Sequence, residues 1–405
     1  MSKRVKTTEV NERPATLLRG RNLKMAGSAH AYVRGNTLKF YEWLDTTDHS
    51  KIPQGPPIWI CGDCHVGNLG PIADTDGNID IQIRDLDQTV IGNPAHDLIR
   101  LGLSLAMAAR GSDLPGVTTA RMLEEIMLGY EDALSDDSST GSAQRPECVR
   151  FVMRQAMGRK WEHLARERIE NTAPTIPLGK RFWPLTGEER SEIERIFATE
   201  EARRLVTVLG SRKDGAQITV LDAAYWMKGC SSLGRLRYAV LLGVGKNYVK
   251  AGRLCLIDIK EAVHATAPSH ADSIMPRENA MRVIQGARHL SPALGERMLA
   301  GRFLDRGVFM RELLPQDLKL EIEEIGREEA MKAARYLAMV VGRAHARQMD
   351  AAIRRQWRDE LNRNRLGKLN APSWLWSSIV ELVASHEAAY LEHCRQYVTD
   401  TALAA

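Results

Sequence analysis

The chain has 405 residues, of which 44% are hydrophobic and 26% are charged, and its formal net charge is +5. This length predicts more than one compact core, and the composition is that of an ordinary globular protein. The 56 basic residues are spread along the sequence among 51 acidic ones, without the concentrated basic patch of nucleic-acid-binding proteins. We therefore expect no nucleic-acid partner.

The first 20 residues contain no apolar run of the secretory-signal type, and no stretch approaches the ~20 apolar residues that span a membrane. These features predict a cytoplasmic protein with no membrane partner. The six cysteines are scattered along the chain, so in a reducing compartment we expect them to be free thiols.

The first 111 residues predict a short series of elements. Residues 15–45 read as two short helices broken near Gly27 and Ser28, and 56–63 as a strand that runs into a loop. Alternating isoleucines predict a strand over 77–85. A buried helix follows over 92–111, with Asn93 as its N-cap, Pro94 in its first position and Gly111 at its end.

The remaining chain is helical, then β-rich, then helical again. Helices continue to about residue 170, and a proline-containing link follows. The later predicted elements are strands over 217–226, 236–244 and 253–263, with Gly245 and Gly252 at a turn, a helix over 276–290, a short strand over 307–315, and helices to the end, including 328–350.

The stretch CGDCHVGN, residues 61–68, carries the first chemical pattern. A structural zinc site uses four ligands, and no second Cys-x-x-Cys pair accompanies Cys61 and Cys64. A redox pair of the thioredoxin type is disfavoured because Asp63 between the cysteines would raise their pKa values. Zinc binding and thiol redox chemistry therefore remain alternatives rather than the leading interpretation.

The oxygen-bearing residues of the stretch suggest different chemistry. Asp63 and Asn68 have the Asp-x-x-x-x-Asn spacing of a kinase catalytic loop, in which the Asp accepts a hydroxyl proton and the Asn binds a metal ion. Asp85 follows the predicted strand and could join Asn68 as an oxygen ligand of Mg²⁺. Two residue types at one spacing also occur by chance, and Asp85 could equally be a turn carboxylate.

Two nearby residues have structural interpretations as well. Asp97 lies in the first turn of the predicted 92–111 helix, where the helix dipole favours a carboxylate. A kinase mechanism needs no histidine at position 65, so we expect His65 to be a loop residue that hydrogen-bonds to the backbone.

The segment CGDCHVGNLG…IDIQIRDLDQTVIGNPAHDLIRLGLSLA resembles the aminoglycoside phosphotransferase-like branch of the protein-kinase-like superfamily. More closely, it is similar to a bacterial domain-of-unknown-function family, number 2252, of that superfamily. The residues that match the family pattern are Asp63, His65, Asn68, Gly70, Asp85, Asp87, Thr89 and Asp97. The resemblance extends over about residues 17–350.

The resemblance implies an ATP site. KGCSSLGRLRYAVLL resembles the family's Gly-rich turn and next strand, and the turn residues assigned to nucleotide binding are Gly229, Ser231, Ser232 and Gly234. LIDIKEA places Lys260 as the ATP-phosphate lysine, with Glu278 as its nearest candidate helix partner. Without the resemblance, Lys260 would read as a solvated lysine at a strand end.

The resemblance also implies a circularly permuted, two-lobed α+β kinase-like fold. The expected parts are 1–204, a helical lobe with the catalytic and metal loops, 205–312, a β-rich ATP-binding lobe, and 313–405, the rest of the helical lobe. The helix ending in AHAR, Ala344 to Arg347, would precede the catalytic loop in space although it follows it in sequence. Lys260 and Asp85 should then face one cleft, and Val340 to His345 should pack beneath the Asp63 loop.

The implied activity is ATP- and Mg²⁺-dependent phosphoryl transfer to a hydroxyl of a small molecule, with a protein acceptor as the alternative. Asp63 would be the catalytic base, Asn68 and Asp85 the metal ligands, and His65, Asp87 and Asp97 supporting residues. Adenylyl transfer to a protein remains open. A non-catalytic nucleotide-binding protein also remains open, since Cys61 replaces a family histidine and Ser231 a family glycine.

Overall fold

The computed structural model describes residues 10–112, 114–135, 145–169, 173–228, 234–246, 248, 253–320, 326–363 and 371–402. Among these residues the α-helices are α1 Arg13–Met25, α2 Ala29–Gly35, α3 Thr37–Thr46, α4 Pro94–Gly111, α5 Gly116–Leu134, α6 Glu147–Met157, α7 Trp161–Ile169, α8 Gly187–Phe197, α9 Glu200–Thr207, α10 Asn279–Leu290, α11 Pro292–Gly295, α12 Arg327–Ala346, α13 Ala351–Asn362 and α14 Ser373–Ala402.

The strands are β1 Ile58–Ile60, β2 Leu69–Ala73, β3 Ile79–Ile83, β4 Val90–Gly92, β5 Phe182–Trp183, β6 Ile218–Trp226, β7 Arg237–Val244, β8 Leu254–Glu261, β9 Met298–Phe303 and β10 Arg306–Leu313. An antiparallel six-stranded sheet has the order β5-β6-β7-β8-β10-β9. Two antiparallel pairs, β1–β4 and β2–β3, stand apart from it. The chain is therefore a mixed α+β protein with several sheets.

The helices before and after the six-stranded sheet share one hydrophobic core. This core joins residues between Val33 and Ala156 to residues between Ala262 and Leu382. The sheet has a separate core on each face: α8 and α9 cover one face, and Leu164, Ala165 and Ile169 of α7 lie in the core of the other. The segment that carries most of the sheet thus interrupts a helical core in sequence.

The most extensive helix–helix contact of the helical core depends on two glycines. α5 and α12 pack closely along their length, and a Cβ on Gly129 would lie 2.0 Å from the carbonyl oxygen of Arg335. On the opposite helix, a Cβ on Gly342 would lie 2.7 Å from the Cβ of Ala133. Larger side chains at these two positions would force the helices apart, so the glycines permit the close approach.

The strongest local patterns predicted their elements well. β3 covers Ile79–Ile83, and α4 begins at Pro94 and ends at Gly111, as expected. The Asn93 side chain accepts a hydrogen bond from the Ala95 N–H, which confirms the predicted N-cap. Gly245 has φ +73, a left-handed conformation that suits the turn expected after β7.

Other expectations need correction. The region expected to form two helices forms three, because Asn36 caps an additional helix, α3. The strand β9 was not predicted. The expected boundary at 204/205 falls inside α9, and Leu205 and Val206 of this helix pack in the sheet core. Conversely, α10 lies inside the expected β-rich segment but contributes to the helical core.

Candidate functional site

Asp63 lies in the loop after β1, and its side chain is held on both oxygens. Arg100 donates from Nε to Oδ1 at 2.8 Å, and Thr37 donates from Oγ1 to Oδ2 at 2.9 Å. Each carboxylate oxygen has two lone pairs, so Asp63 can still accept one more hydrogen bond on each. The residue is 8% exposed. It is therefore a positioned carboxylate that retains the capacity to accept a proton.

Asp97, in the first turn of α4, fixes the path of that loop. Its Oδ2 accepts from the backbone N–H of Cys61 at 2.7 Å, and its Oδ1 accepts from that of Gly62 at 2.9 Å. Gly62 has φ +73, and a Cβ there would lie 2.2 Å from the carbonyl oxygen of Gln88. The loop conformation thus depends on a glycine and on a buried carboxylate.

A chain of buried side chains connects Asp97 to the helices behind it. His345 of α12 places Nε2 3.1 Å from Asp97 Oδ2 and Nδ1 2.9 Å from the hydroxyl of Tyr130. Trp357 donates from Nε1 to the same hydroxyl at 3.0 Å. The end of α12 therefore packs beneath the Asp63 loop, which confirms the position predicted for the helix ending in AHAR.

The β2–β3 ribbon brings Asn68 close to the Asp85 segment. Leu69 pairs with Ile83, so Asn68, one residue before, lies opposite Arg84, one residue after, and the Arg84 N–H donates to the Asn68 carbonyl at 2.7 Å. The Asn68 Nδ2 donates to the Asp63 carbonyl at 2.9 Å. This leaves the amide oxygen of Asn68 for a cation, beside a segment that ends in Asp85.

Lys260, on β8, reaches the same segment from the sheet. Its Nζ lies 3.3 Å from Asp85 Oδ1 and also forms an ion pair with Asp87. The predicted proximity of Lys260 and Asp85, 175 residues apart in sequence, is therefore confirmed. Burial and the adjacent Asp85 charge raise the pKa of Asp87 to about 6.

The expected pairing of Lys260 with Glu278 is wrong. Glu278 is exposed at the N-terminus of α10, and the described carboxylates within 4.0 Å of Lys260 Nζ are Asp85 and Asp87. The residue of α10 that reaches this region is Arg282, which donates to the carbonyl of Asp87 at 3.0 Å. The lysine finds its partners in the segment after β3 because the sheet face points toward that segment.

One face of the sheet carries alternating charges toward this segment. Arg237 on β7 lies opposite Lys260, and Arg311 on β10 lies opposite Asp258, two residues before Lys260. Side chains two residues apart on a strand share a face, so these groups lie together. Arg237 donates to Asp258 at 2.8 Å. This face forms one wall of a cavity of about 400 Å³.

The cavity is lined mainly by cations. Arg237, Arg311 and Arg168 come from β7, β10 and α7, and Lys228 follows β6; the other four are Lys24 of α1, Arg34 of α2, Arg84 after β3 and Lys319 after β10. The cavity also reaches His65, Asn68, Asp85 and Asp317. Burial, followed by the charges of Arg237 and Arg168, lowers the pKa of Lys228 well below its ordinary value. Such mutual repulsion indicates a site suited to anions.

A comparison with protein-family models assigns the sequence to a group of bacterial proteins. Residues 13–396 match the family described as "Uncharacterized protein conserved in bacteria (DUF2252)". The chain belongs to the DUF2252 family. Neither the comparison with curated proteins nor the comparison with solved structures gave a match. Within the described part of this DUF2252 chain, no helix has the length and apolar character needed to cross a membrane.

The two loop cysteines of this DUF2252 protein are buried beside Asp97. The ligand atoms of Cys61, Cys64 and Asp97 lie within 4.8 Å of one another, which gives three of the four ligands used in structural zinc sites. Both Asp97 oxygens already accept backbone hydrogen bonds. A hydrogen bond to Cys64 and burial raise the pKa of the Cys61 thiol well above its ordinary value. These contacts favour packed thiols over zinc ligands.

Two expectations for other family-pattern residues have mixed outcomes. The turn residues Gly229, Ser231 and Ser232 lie outside the described residues, whereas Gly234 has φ +101, a conformation that glycine adopts readily.

The expected backbone hydrogen bond of His65 is wrong: no described atom pairs with its buried Nδ1. Its Nε2 lies 4.0 Å from Asp63 Oδ2, and burial lowers its pKa to about 3.

Several site residues were missed from the sequence. Arg100 is fully buried in α4, where an arginine inside an apolar run signals a buried partner, and that partner is Asp63. Thr37 gave no comparable signal because it lies in an unremarkable helix. The cavity cations also gave none, because they are distant from one another in sequence.

Proposed function

We infer that this DUF2252 protein is an ATP- and Mg²⁺-dependent phosphotransferase that acts on a hydroxyl group of a small molecule, with a protein hydroxyl as the alternative acceptor. The observation that carries the proposal is the ion pair of Lys260 with Asp85, next to the loop that holds Asp63 and Asn68. This combination supplies a phosphate-binding lysine, oxygen ligands and a proton acceptor in one site.

The proposed fold is a two-lobed, circularly permuted protein-kinase-like fold. Three features support it: the sheet-bearing segment interrupts a single helical core, Lys260 follows the Asp63 loop in sequence, and α12 ends beneath that loop. In an ordinary kinase order the phosphate-binding lysine would come first. A permutation cut between the helix and the loop would produce the order found here.

The residues present fit Mg²⁺ and a nucleotide triphosphate. Mg²⁺ prefers oxygen ligands, and the amide oxygen of Asn68 and the carboxylate of Asp85, whose side chain is 45% exposed, would supply two of them. Lys260 and the cations of the sheet wall would receive the phosphates. Bound Mg-ATP would supply the phosphoryl group and a metal charge that stabilises its transfer.

Each proposed role follows from a contact on the site. Asp63, fixed by Arg100 and Thr37, would accept the proton of the acceptor hydroxyl. The acceptor oxygen then forms a bond to the γ-phosphorus while the bond to the ADP oxygen breaks, and ADP leaves. Lys260 would contact the nucleotide phosphates, and Asp85, its partner in the structure, would help to hold the metal. Positioning and charge neutralisation would supply most of the rate gain.

The first test is the thermal stability of the protein with nucleotide. A ligand that binds only the folded state at 100 times its Kd adds about 2.7 kcal/mol, so Mg-ATP should raise the Tm by several degrees. Asp85→Ala should lose most of this Mg²⁺-dependent shift. Arg302→Ala, at an exposed arginine outside the cavity lining, is the matched control and should keep it.

The outcome that contradicts the proposal is the absence of any shift in the wild-type protein with saturating Mg-ATP. Chelation of Mg²⁺ should return the Tm to that of the nucleotide-free protein. The mass of the product formed from ATP then separates the chemistries, because phosphoryl transfer adds a phosphate and adenylyl transfer adds AMP.

A further inference from the structure

The charge balance of the cavity is strongly positive. Eight of its lining side chains are cations, and two, Asp85 and Asp317, are acidic. Both acids already have cationic partners, since Asp85 pairs with Lys260 and Asp317 pairs with Arg297 at 3.1 Å. The acids therefore do not neutralise the other lining cations.

Some of the cations on the sheet side support the protein itself. Arg237 is paired with Asp258, and Arg168 with Glu167 at 3.0 Å. Arg311 donates to the backbone carbonyl of Arg84 at 2.9 Å. These contacts position the sheet wall of the cavity, the side on which Lys260 lies and where the proposed nucleotide phosphates would bind.

Three other cations of the cavity lining differ from these in their partners. We define the loop-side cluster as Arg34, Arg84 and Lys319. No carboxylate of the described residues lies within 4.0 Å of the charged groups of these three side chains, although all three line the cavity. They are close enough to influence one another, because the charges of Arg34 and Arg84 act on Lys319. Arg84 is buried, Arg34 is half-buried and Lys319 is exposed, so an anion bound among them would meet charged donors that no described carboxylate occupies.

Arg84 is the buried member of the loop-side cluster. It is 8% exposed, its Nη2 donates to the carbonyl of Asp317 at 2.8 Å, and its buried Nε has no partner among the described atoms. Arg84 lines the cavity, and the described residues use only part of its hydrogen-bonding capacity, so its guanidinium can donate to a bound oxyanion.

The loop-side cluster is placed next to the proposed chemistry. The Arg34 guanidinium packs on Gly67, where an added Cβ would lie 2.6 Å from its Nη2, and Gly67 directly precedes the proposed metal ligand Asn68. Arg84 directly precedes Asp85. All three cations line the same cavity as Asn68 and Asp85, so a molecule bound by this cluster would lie near both proposed metal ligands.

We propose that the acceptor is a small polyol that carries a phosphate group, and that Arg34, Arg84 and Lys319 bind this phosphate while a hydroxyl of the same molecule faces Asp63. The inference rests on the proposed phosphotransferase function. A phosphate monoester has nearly two negative charges and three acceptor oxygens, so it matches three cations better than one carboxylate does. A cationic acceptor would be repelled by the cluster.

The reaction is balanced with the co-substrate already named. The hydroxyl oxygen of the phosphorylated polyol forms a bond to the γ-phosphorus of ATP, and its proton passes to Asp63. The bond between the γ-phosphorus and the β–γ bridging oxygen breaks, and ADP leaves with that oxygen. The product is a polyol with one additional phosphate, and the proton is later released to water.

The test compares matched acceptors in an assay of ADP release. Glycerol 1-phosphate, glucose 6-phosphate and inositol 1-phosphate are each compared with the unphosphorylated parent and with glucosamine as a cationic sugar. We expect at least one phosphorylated compound to exceed its parent by tenfold or more in kcat/KM. Arg34→Ala and Lys319→Ala should each lower that kcat/KM by about 10- to 100-fold, because each removes a charged hydrogen-bond donor.

Controls separate an acceptor defect from a nucleotide defect. Both variants should keep the Mg-ATP shift in Tm, Arg302→Ala should behave as the wild type, and Arg34→Lys should recover part of the lost kcat/KM. Inorganic phosphate should also bind to the protein saturated with Mg²⁺ and AMP-PNP, and Arg34→Ala should weaken this binding.

The failures are distinguishable. If Mg-ATP does not bind, the phosphotransferase proposal falls and the acceptor inference falls with it. If Mg-ATP binds but a neutral or cationic compound is the better acceptor, only the acceptor inference is overturned. The acceptor inference alone is also overturned if no phosphorylated compound raises ADP release, or if Arg34→Ala leaves kcat/KM for that compound unchanged.

Discussion

Asp97 and Asp85 are both acidic residues of the loop region, but the protein surrounds them differently. The Asp97 side chain is 1% exposed and accepts hydrogen bonds from three protein donors, two backbone N–H groups and the ring of His345. The Asp85 side chain is 45% exposed, lies on the cavity and is paired with the amine of Lys260 at 3.3 and 3.5 Å.

The difference separates a carboxylate that maintains a structure from one that is available to a ligand. Asp97, His345 and Tyr130 form a closed network, in which each polar group finds its partner within the protein. Around Asp85 the protein leaves positive charge uncompensated, so its polar groups can still gain partners. A buried network specifies the loop, and an open charged cavity next to it is suited to binding.

The largest expected effect tests the closed network. Asp97→Ala would leave two buried N–H groups and His345 without their acceptor, so we expect the free energy of unfolding to fall by about 3–5 kcal/mol. Denaturant unfolding measures this loss. Asp85→Ala, at the exposed carboxylate, should cost less than about 1 kcal/mol because Asp87 still pairs with Lys260. Equal losses in the two variants would remove the distinction between the two carboxylates.

The next effect tests whether the closed network presents a catalytic group. Asp63→Asn keeps an oxygen that can accept from Arg100 or Thr37 but cannot take up a proton at neutral pH, so turnover should fall by about 10²–10⁴-fold. Nucleotide binding, which is measured as the Tm shift with Mg-ATP, should largely persist.

The buried thiol provides the control for Asp63→Asn. Cys64→Ser changes a neighbouring residue that has no role in the proposed chemistry, so a folded variant should keep nearly full turnover. A fully active Asp63→Asn protein would contradict the catalytic role. An inactive but folded Cys64→Ser protein would support the thiol or zinc interpretations instead.

The smallest effect tests the boundary between the loop and the cavity. In Gly67→Ala the added Cβ would meet the end of the flexible Arg34 side chain rather than backbone atoms. Arg34 should therefore move, and phosphate binding should weaken by a few-fold while the Tm stays within about 2 °C of wild type. Gly111→Ala, where an added Cβ meets nothing within 4 Å, is the matched control. A large loss of stability in Gly67→Ala would show that the loop itself is displaced.

Much of the local structure was readable from the sequence. Asn93 and Pro94 specify the start of α4 through hydrogen bonds and backbone angles that involve neighbouring residues. The alternation of Ile79, Ile81 and Ile83 specifies β3, because period two places all three on one side of a strand. The predicted boundary at 204/205 lies inside α9, because helical periodicity does not reveal which core a helix joins.

The candidate site divides in the same way. Asp63 and Asn68 lie within one loop, so the sequence by itself determined that these residues are near each other. That they serve a metal and a proton stays a prediction. The sequence did not determine the partner of Lys260, since α10 presents Arg282 rather than Glu278 toward the Asp87 segment.

The distribution of charge depended most on tertiary structure. Along the chain the basic residues are dispersed and form no patch. Packing of the sheet, α7, the α1–α2 region and the segment after β3 nevertheless brings eight of them to one cavity. Local patterns determine helices, strands and loops because their interactions are short in sequence. Contacts such as Lys260 with Asp85, and the convergence of distant cations, arise only when the hydrophobic faces of those elements pack together.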